Sequence, residues 1–327
     1  MDRGPAALAC DGGGSGTGRT PSLTRARSPI GAHVSWAGDV DRRSRSASLP
    51  AHHGFRLKGD KVDMQPTSLP LRLPRGTNHV VGGTRPPRYD LSYRDEFWPP
   101  RAYEDRCDRL AVRALLPRGG GHLLDLGAGF GRLVDEYRAF DTVTLVDASP
   151  AMIEAARDRV GSDTRFSVIA ADAAHLPIPA GSVDVVVAVR LLVHLSDPSE
   201  VFREIARVLR PGGRLIVEFP NRRHLLAVVR YLTGRQSWSP VARQTHEYLA
   251  GHFVHQPATI EAQLRAVGLE PDVRRTVSLF RSALLKRLIP ARVLAAIESP
   301  LQRPLGRMAP GPSIYVGSIR SDAATIG

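Results

Sequence analysis

Between residues 122 and 219 the chain alternates between two textures. Five short runs, HLLDL, TVTLVD, RFSVIAAD, SVDVVVAV and RLIVEF, are dominated by Val, Ile and Leu. Segments of helical character separate them. Strands this apolar, joined by amphipathic helices, indicate a parallel sheet covered on both faces. The spacing predicts helices over 130–140, after Ser149-Pro150 as N-cap and first-turn proline, and after Asp197-Pro198-Ser199-Glu200, the last ending at Pro211-Gly212-Gly213. Upstream, Leu110, Val112, Leu115 and Leu116 fit a helix that stops at Pro117. Downstream, HLLAVVRYL, PATIEAQLRAVGL and SALLKRLIPARVLAAIE read as helices, and VRRTVSLF and SIYVGSI as strands.

Composition divides the chain. Residues 1–86 hold 13 Lys+Arg against 6 Asp+Glu, with DGGGSGTGRTPSLTRARSP and DRRSRSASLP showing neither strand nor helix period. Such a segment buries too little apolar area to offset its ordering entropy, and it is expected to be a disordered, basic, Gly/Ser/Pro/Arg-rich tail. Residues 87–327 are expected to form the folded domain, with a core over 118–220, an insertion over 221–256 and a C-terminal part over 257–327. The net charge is +13, of which the tail supplies over half, so the domain carries only a mild hint of anionic partners. The two cysteines, Cys10 and Cys107, make no disulfide framework and no Cys-rich zinc site, which fits a cytoplasmic protein. No apolar run reaches the roughly 18 residues of a membrane span, and no charged-then-apolar signal segment opens the chain.

The ligand question centres on LLDLGAGFGR, residues 123–132. Open parallel sheets bind ligands beyond the carboxyl ends of their strands, where this glycine loop falls. A nucleotide P-loop would need GK[ST], which is absent. A dinucleotide fingerprint wants a small residue where Arg132 stands, which removes the NAD-dependent dehydrogenase reading. Asp147 closes the second strand, where a carboxylate can accept from both ribose hydroxyls, and Asp172 follows the third, where it can accept from an adenine amine. A glycine loop with two such acids and no diphosphate grip suits an adenosyl ligand without phosphate.

At this point LLDLGAGFGR, TLVDASPAMI, AADAAHLPIPAGSVDVVVAV and EIARVLRPGGRLIVEF together resemble the successive motifs of class I S-adenosylmethionine-dependent methyltransferases, closest to the small-molecule, quinone-biosynthesis-like group. The resemblance covers about residues 90–220. It implies a Rossmann-like seven-stranded, mostly parallel sheet of order 3-2-1-4-5-7-6 with helices on both faces and strand seven antiparallel. It also implies S-adenosyl-L-methionine as cofactor. Carried over residue by residue, Gly127, Ala128, Gly129 and Gly131 would flank the methionyl part, and Asp125 would help set the amine site. Asp147 with Ala148 would hold the ribose, Asp172 with Ala173 the adenine, and Arg190 would offer its backbone carbonyl to the methionyl amine.

Methyl transfer is an in-line displacement, and the protein mainly supplies alignment and desolvation. A general base is needed only where the acceptor must lose a proton, and His194, just beyond strand four, is the candidate. His246, His252 and His255 match no standard zinc spacing, so no metal is expected. Trp98, Tyr103, Trp238, Tyr248 and Phe253 offer aromatic wall for a small apolar or aromatic acceptor. Two alternatives stay open. One is an RNA or protein methyltransferase using the basic tail, although the Asn/Asp-Pro-Pro-aromatic motif of amino-directed nucleobase enzymes is replaced here by RLLVHL. The other is a non-catalytic S-adenosylmethionine-binding partner subunit. The sequence leaves the oligomeric state open.

Overall fold

The apolar runs become strands β1 (His122–Leu126), β2 (Thr142–Asp147), β3 (Phe166–Ala170), β4 (Val183–Ala188) and β5 (Leu209–Pro220). A hairpin, β6 (His246–Leu249) and β7 (His252–Val254), follows, and then β8 (Leu269–Val277) and β9 (Ser313–Arg320). In the computed structural model, which describes residues 90–321, seven strands form one sheet of order β3-β2-β1-β4-β5-β9-β8. The first five are parallel, and β9 runs antiparallel to both β5 and β8. This is the expected Rossmann-like order, with β9 and β8 in the last two places. The tail expected over 1–86 lies outside the described residues.

Alternation along the strands divides the core into two layers. Leu124 and Leu126 of β1 pack with Phe202 and Ile205 of α3 (Ser199–Val208) and Leu264 of α5 (Pro257–Ala266). Leu123 faces the other side, among Cys107, Ala111 and Val112 of α1 (Ala102–Leu115) and Leu294 of α7 (Ala291–Glu298). Each such fully buried side chain contributes about 1.5–3 kcal/mol. Glu298, wholly buried, accepts from Ser278 N and Leu279 N at 2.9 and 2.8 Å and from the Tyr103 hydroxyl. It thereby ties α7 to the end of β8 and to α1.

Four local expectations are corrected. Residues 130–140 form turns and a short 3₁₀ segment, Val134–Tyr137, because the backbone at Gly129 and Gly131 has φ of +56° and +73°, outside the right-handed helix. Helix α3 stops at Val208, and Leu209–Gly213 already belongs to β5, with a register shift between Val183 and Val185. The helix over 282–298 is broken at Pro290 into α6 (Ala283–Leu288) and α7, since proline lacks the amide proton and clashes with the preceding turn. The helix before β1, whose start the sequence left open, begins at Ala102, after a π-type turn (Tyr93–Phe97) and a 3₁₀ turn starting at Pro99. The β6–β7 hairpin was not expected as strands. The N-cap of α2 (Pro150–Val160) is as read: Ser149 Oγ accepts from Met152 N at 3.4 Å.

Candidate cofactor and acceptor site

The chain leaves β1 and turns over the tip of β2, where Gly127 N and Ala128 N donate to Val146 O at 2.8 and 3.0 Å. Asp147 then closes the loop. Its Oδ2 accepts from Gly129 N and its Oδ1 from Ser149 N, both at 2.8 Å. Burial raises its pKa, while the backbone donors at Ser149, Gly129 and Ala148 act the other way. A Cβ built on Gly129 would meet nothing nearer than Tyr93 Cε1 at 4.0 Å, so this glycine opens onto the crevice. Gly131 turns inward instead: its Cβ would press on Val134 Cγ1 at 3.1 Å. At Gly127 a Cβ would meet the Leu191 side chain at 3.3 Å, so the tips of β1 and β4 lie close together.

Asp172 sits at the neighbouring tip. It is exposed, its Oδ1 accepts from Ala174 N at 2.9 Å, and Ala171 N donates to Asp147 O at 3.2 Å. The two acids therefore stand on adjacent strand ends, with exposed Ala148 and half-buried Ala173 beside them. Asp125 takes a different place. It is buried in the layer below the loop, and burial pushes its pKa up to about 7, against the Tyr137 hydroxyl and the Arg132 charge.

Beneath the loop lies a charged cluster. Arg132 bonds Asp105 at 2.6 Å and Asp108 at 3.1 Å, and its guanidinium lies 3.9 Å from the Trp98 ring centroid. Arg190, at the β4 tip, has a positive φ of 63°, a costly backbone for a residue with a Cβ. Its amide donates to Glu218 Oε2 at 3.0 Å and its guanidinium to Asp108 Oδ2 at 3.3 Å. Among the described residues no hydrogen-bond partner meets Asp108 Oδ1, Arg190 Nε or the Tyr315 hydroxyl, although all are buried. Buried polar atoms normally find partners, so unpaired acceptors and donors gathered here mark a place for a polar ligand. The residues fit a zwitterionic amino-acid group. Sequence reasoning missed Asp108 and Glu218 as site residues. Their signal was an acid on the apolar face of α1 and another inside RLIVEF.

His194 closes a 3₁₀ turn after β4. Its ring meets that of His252 edge-on with centroids 5.0 Å apart, and Nδ1 is 3.4 Å from Gly251 O. Burial, then the His252 charge, holds its pKa down to about 3, so the imidazole is neutral at physiological pH. His255 Nε2 lies 2.9 Å from Leu192 O, which pins the hairpin to that turn. Of the expected aromatic wall, Tyr248 and Phe253 are on the hairpin and Trp238 lies tilted against His246 with ring centroids 4.7 Å apart. Trp98 lines the charged cluster, whereas Tyr103 is core between α1 and Phe280.

Residues 124–217 match the family described as "Methyltransferase domain". The chain is 36% identical over 180 residues to the 27-O-demethylrifamycin SV methyltransferase of Amycolatopsis mediterranei, covering 53% of this chain and 62% of that protein. It is 31% identical over 165 residues to the ubiquinone biosynthesis O-methyltransferase of Xanthomonas axonopodis, covering 49% of this chain and 66% of that protein. The first curated relatives are spanned over 39% to 66% of their length. Among solved structures, a chain of the complex between the Haloferax volcanii Trm112 methyltransferase activator and a methyltransferase superposes with a TM-score of 0.50 at 19% identity, over 70% of this chain and 94% of that chain. That likeness is one of fold. With the strand order, the glycine loop and these relatives together, residues 124–217 form a methyltransferase domain of the S-adenosylmethionine-dependent kind.

Proposed function

We propose that this chain transfers a methyl group from S-adenosyl-L-methionine to a small apolar or aromatic acceptor. One observation carries the reading. The Gly129–Asp147 hydrogen bond and the Asp172 tip stand at adjacent strand ends, and at the neighbouring β4 tip Asp108 Oδ1 and Arg190 Nε are buried without a hydrogen-bond partner among the described residues. When bound there, the cofactor supplies an electrophilic methyl group on a sulfonium centre. Asp147 accepts from ribose hydroxyls through the lone-pair positions its backbone donors leave open. Asp172 and Ala173 border the adenine, and Gly127, Ala128 and Gly129 let the backbone approach the methionyl chain. Arg190 and Trp98 face its carboxylate, and Asp108 and Glu218 its ammonium. Asp125 and Gly131 act from behind, by holding the loop.

On the acceptor side, His194 is the group placed to take up the proton of an acceptor hydroxyl, and with burial holding its pKa down to about 3 it does so only if the bound acceptor and cofactor stabilise the imidazolium. The histidine pair and the aromatic hairpin exclude water, and orientation of the reacting pair can recover on the order of 7 kcal/mol or more. Two relatives are named for acceptors that are small molecules, which supports the same class here.

Titration calorimetry with S-adenosylhomocysteine and, separately, NAD tests the cofactor. Heat with the first alone is expected, weakened at least about ten-fold by Asp147→Ala. A screen of phenols and alcohols with labelled cofactor tests the acceptor. In that assay His194→Ala is expected to lower kcat about a hundred-fold while leaving the cofactor Kd nearly unchanged. Equal heat from NAD, or an unaltered kcat, would remove the corresponding half of the proposal.

A further inference from the structure

The helix α4 (Leu225–Leu232) buries only Ala227. Leu225, Leu226, Val229, Tyr231 and Leu232 all face outward, Leu232 with 78% of its surface exposed. The helix α6 buries nothing, and Leu284 and Leu288 are 64% and 69% exposed. Globular helices ordinarily bury a continuous apolar stripe, and these two turn theirs away from the core.

Both helices border one side of the molecule. Arg281, just before α6, is close enough to His224 and Arg230 to act on them electrostatically, and it does the same to Arg190 and Tyr248 at the site. Leu225 N also donates to Pro310 O at 3.0 Å, beside the exposed Met308.

The charge of these segments is one-sided. Residues 221–246 contain five arginines and no Asp or Glu, and residues 278–297 contain three arginines, one lysine and no Asp or Glu. Glu104 neutralises Lys286 at 2.8 Å, and the other bases of α4 and α6 have no ion pair among the described residues.

We propose that α4 and α6 form a docking face for an anionic lipid surface, on which the protein lies with its site mouth toward the headgroups. Exposed leucines with interspersed arginines suit the boundary between headgroups and acyl chains. A second copy of this face would set base against base. Residues 1–86 are themselves basic and offer no complementary charge. A nucleic acid would pair with the arginines but would leave the leucines in water. No described helix is long and apolar enough to cross a membrane, so the contact is one of surface only. Combined with the methyltransferase reading, this placement would let an acceptor dissolved in the lipid enter beside the crevice.

Co-sedimentation of the full chain with phosphatidylcholine vesicles, with and without phosphatidylglycerol, tests the face. Binding is expected with the anionic vesicles, weakly or not at all with the neutral ones, and reduced by added salt. Each basic side chain near such a surface strengthens partitioning about five-fold, so Arg230→Glu with Arg287→Glu should cost well over ten-fold. Leu232→Ser with Leu288→Ser should weaken it as well. All these positions are exposed, and unchanged S-adenosylhomocysteine heats would certify the fold. Anionic binding indifferent to both pairs, equal binding to neutral vesicles, full competition by single-stranded RNA, or a dimer dispersed by the leucine substitutions would each overturn the proposal. None of these outcomes bears on the cofactor reading, which the calorimetry tests alone.

Discussion

Gly129 is the residue on which the cofactor reading can be tested with least disturbance to the fold. Its φ of +56° is costly for any side chain, yet a Cβ there would enter open space. Gly129→Ala is therefore expected to lower stability by only about 1–2 kcal/mol. Affinity for S-adenosylhomocysteine should fall at least about ten-fold, because the methyl group would stand where the ligand lies. Melting curves and calorimetry on one preparation separate the two effects. Two buried titratable groups give a second residue-scale prediction, with opposite signs. Asp125 rises from 3.8 to about 7, so between those values the folded state binds more protons than the unfolded, and stability is lost as pH rises. His194 falls from 6.5 to about 3, so the unfolded state binds more protons there, and stability is lost as pH falls through that window. Urea unfolding at several pH values should show Asp125→Asn gaining on the parent as pH rises from 4 to 7. His194→Gln should gain on it as pH drops below 6.5. The positions of Asp147 and Asp172 were legible in the sequence because each follows directly on an apolar run. Asp108 and Glu218 were not, because whether an acid is buried beside an arginine depends on which distant elements pack against it.

Among the elements, Arg132 joins the glycine loop to α1. The residue that removed the dinucleotide reading turns out to be 8% exposed, paired with an Asp108 that is not exposed at all. Removing one partner of a buried pair strands the other charge in a poor solvent for it. Arg132→Ala is accordingly expected to cost about 3–5 kcal/mol. Arg113 is the natural control. It bonds Glu136 from a side chain that is 61% exposed, and Glu136 keeps Arg109 at 3.0 Å, so Arg113→Ala should cost under about 1 kcal/mol. Denaturant titrations of the two variants check the contrast, and similar losses would mean that the Arg132 pairs are no more than surface contacts. Element type was read well wherever apolar residues set the period, as in β1 to β5, α1, α4 and α5. It failed where backbone chemistry overrode the period: at Gly129 and Gly131, which turn a predicted helix into turns, and at Pro290, which cuts one helix into two. The β6–β7 hairpin is only seven to nine residues of mixed polarity, too short for a period to register. What defines it is tertiary, the link from His255 to Leu192 O.

At the scale of the whole molecule, the order β3-β2-β1-β4-β5-β9-β8 places the β1 and β4 tips side by side, with a strand leading away to each edge. Such a reversal is where open parallel sheets ordinarily bind ligands, and the glycine loop lies at it. Among the described residues, both core layers, every strand of the sheet and all residues assigned to the site fall between Trp98 and Arg320. Residues 1–86 lie outside the described residues, and their composition is basic. If their basic composition has no part in the fold, a chain beginning at residue 87 should melt within about 2 °C of the full chain and bind S-adenosylhomocysteine with the same affinity. Scanning calorimetry and titration calorimetry measure the two quantities. A loss of one without the other would be informative in a specific way. Lower affinity at an unchanged melting temperature would place the segment at the crevice mouth, where it would act as part of the site. A lower melting temperature at unchanged affinity would make it a structural strap across the outer helices. Retention of both leaves the basic segment to act through its charge alone, and the same truncation in the vesicle assay then decides whether that charge adds to the α4–α6 face or is independent of it.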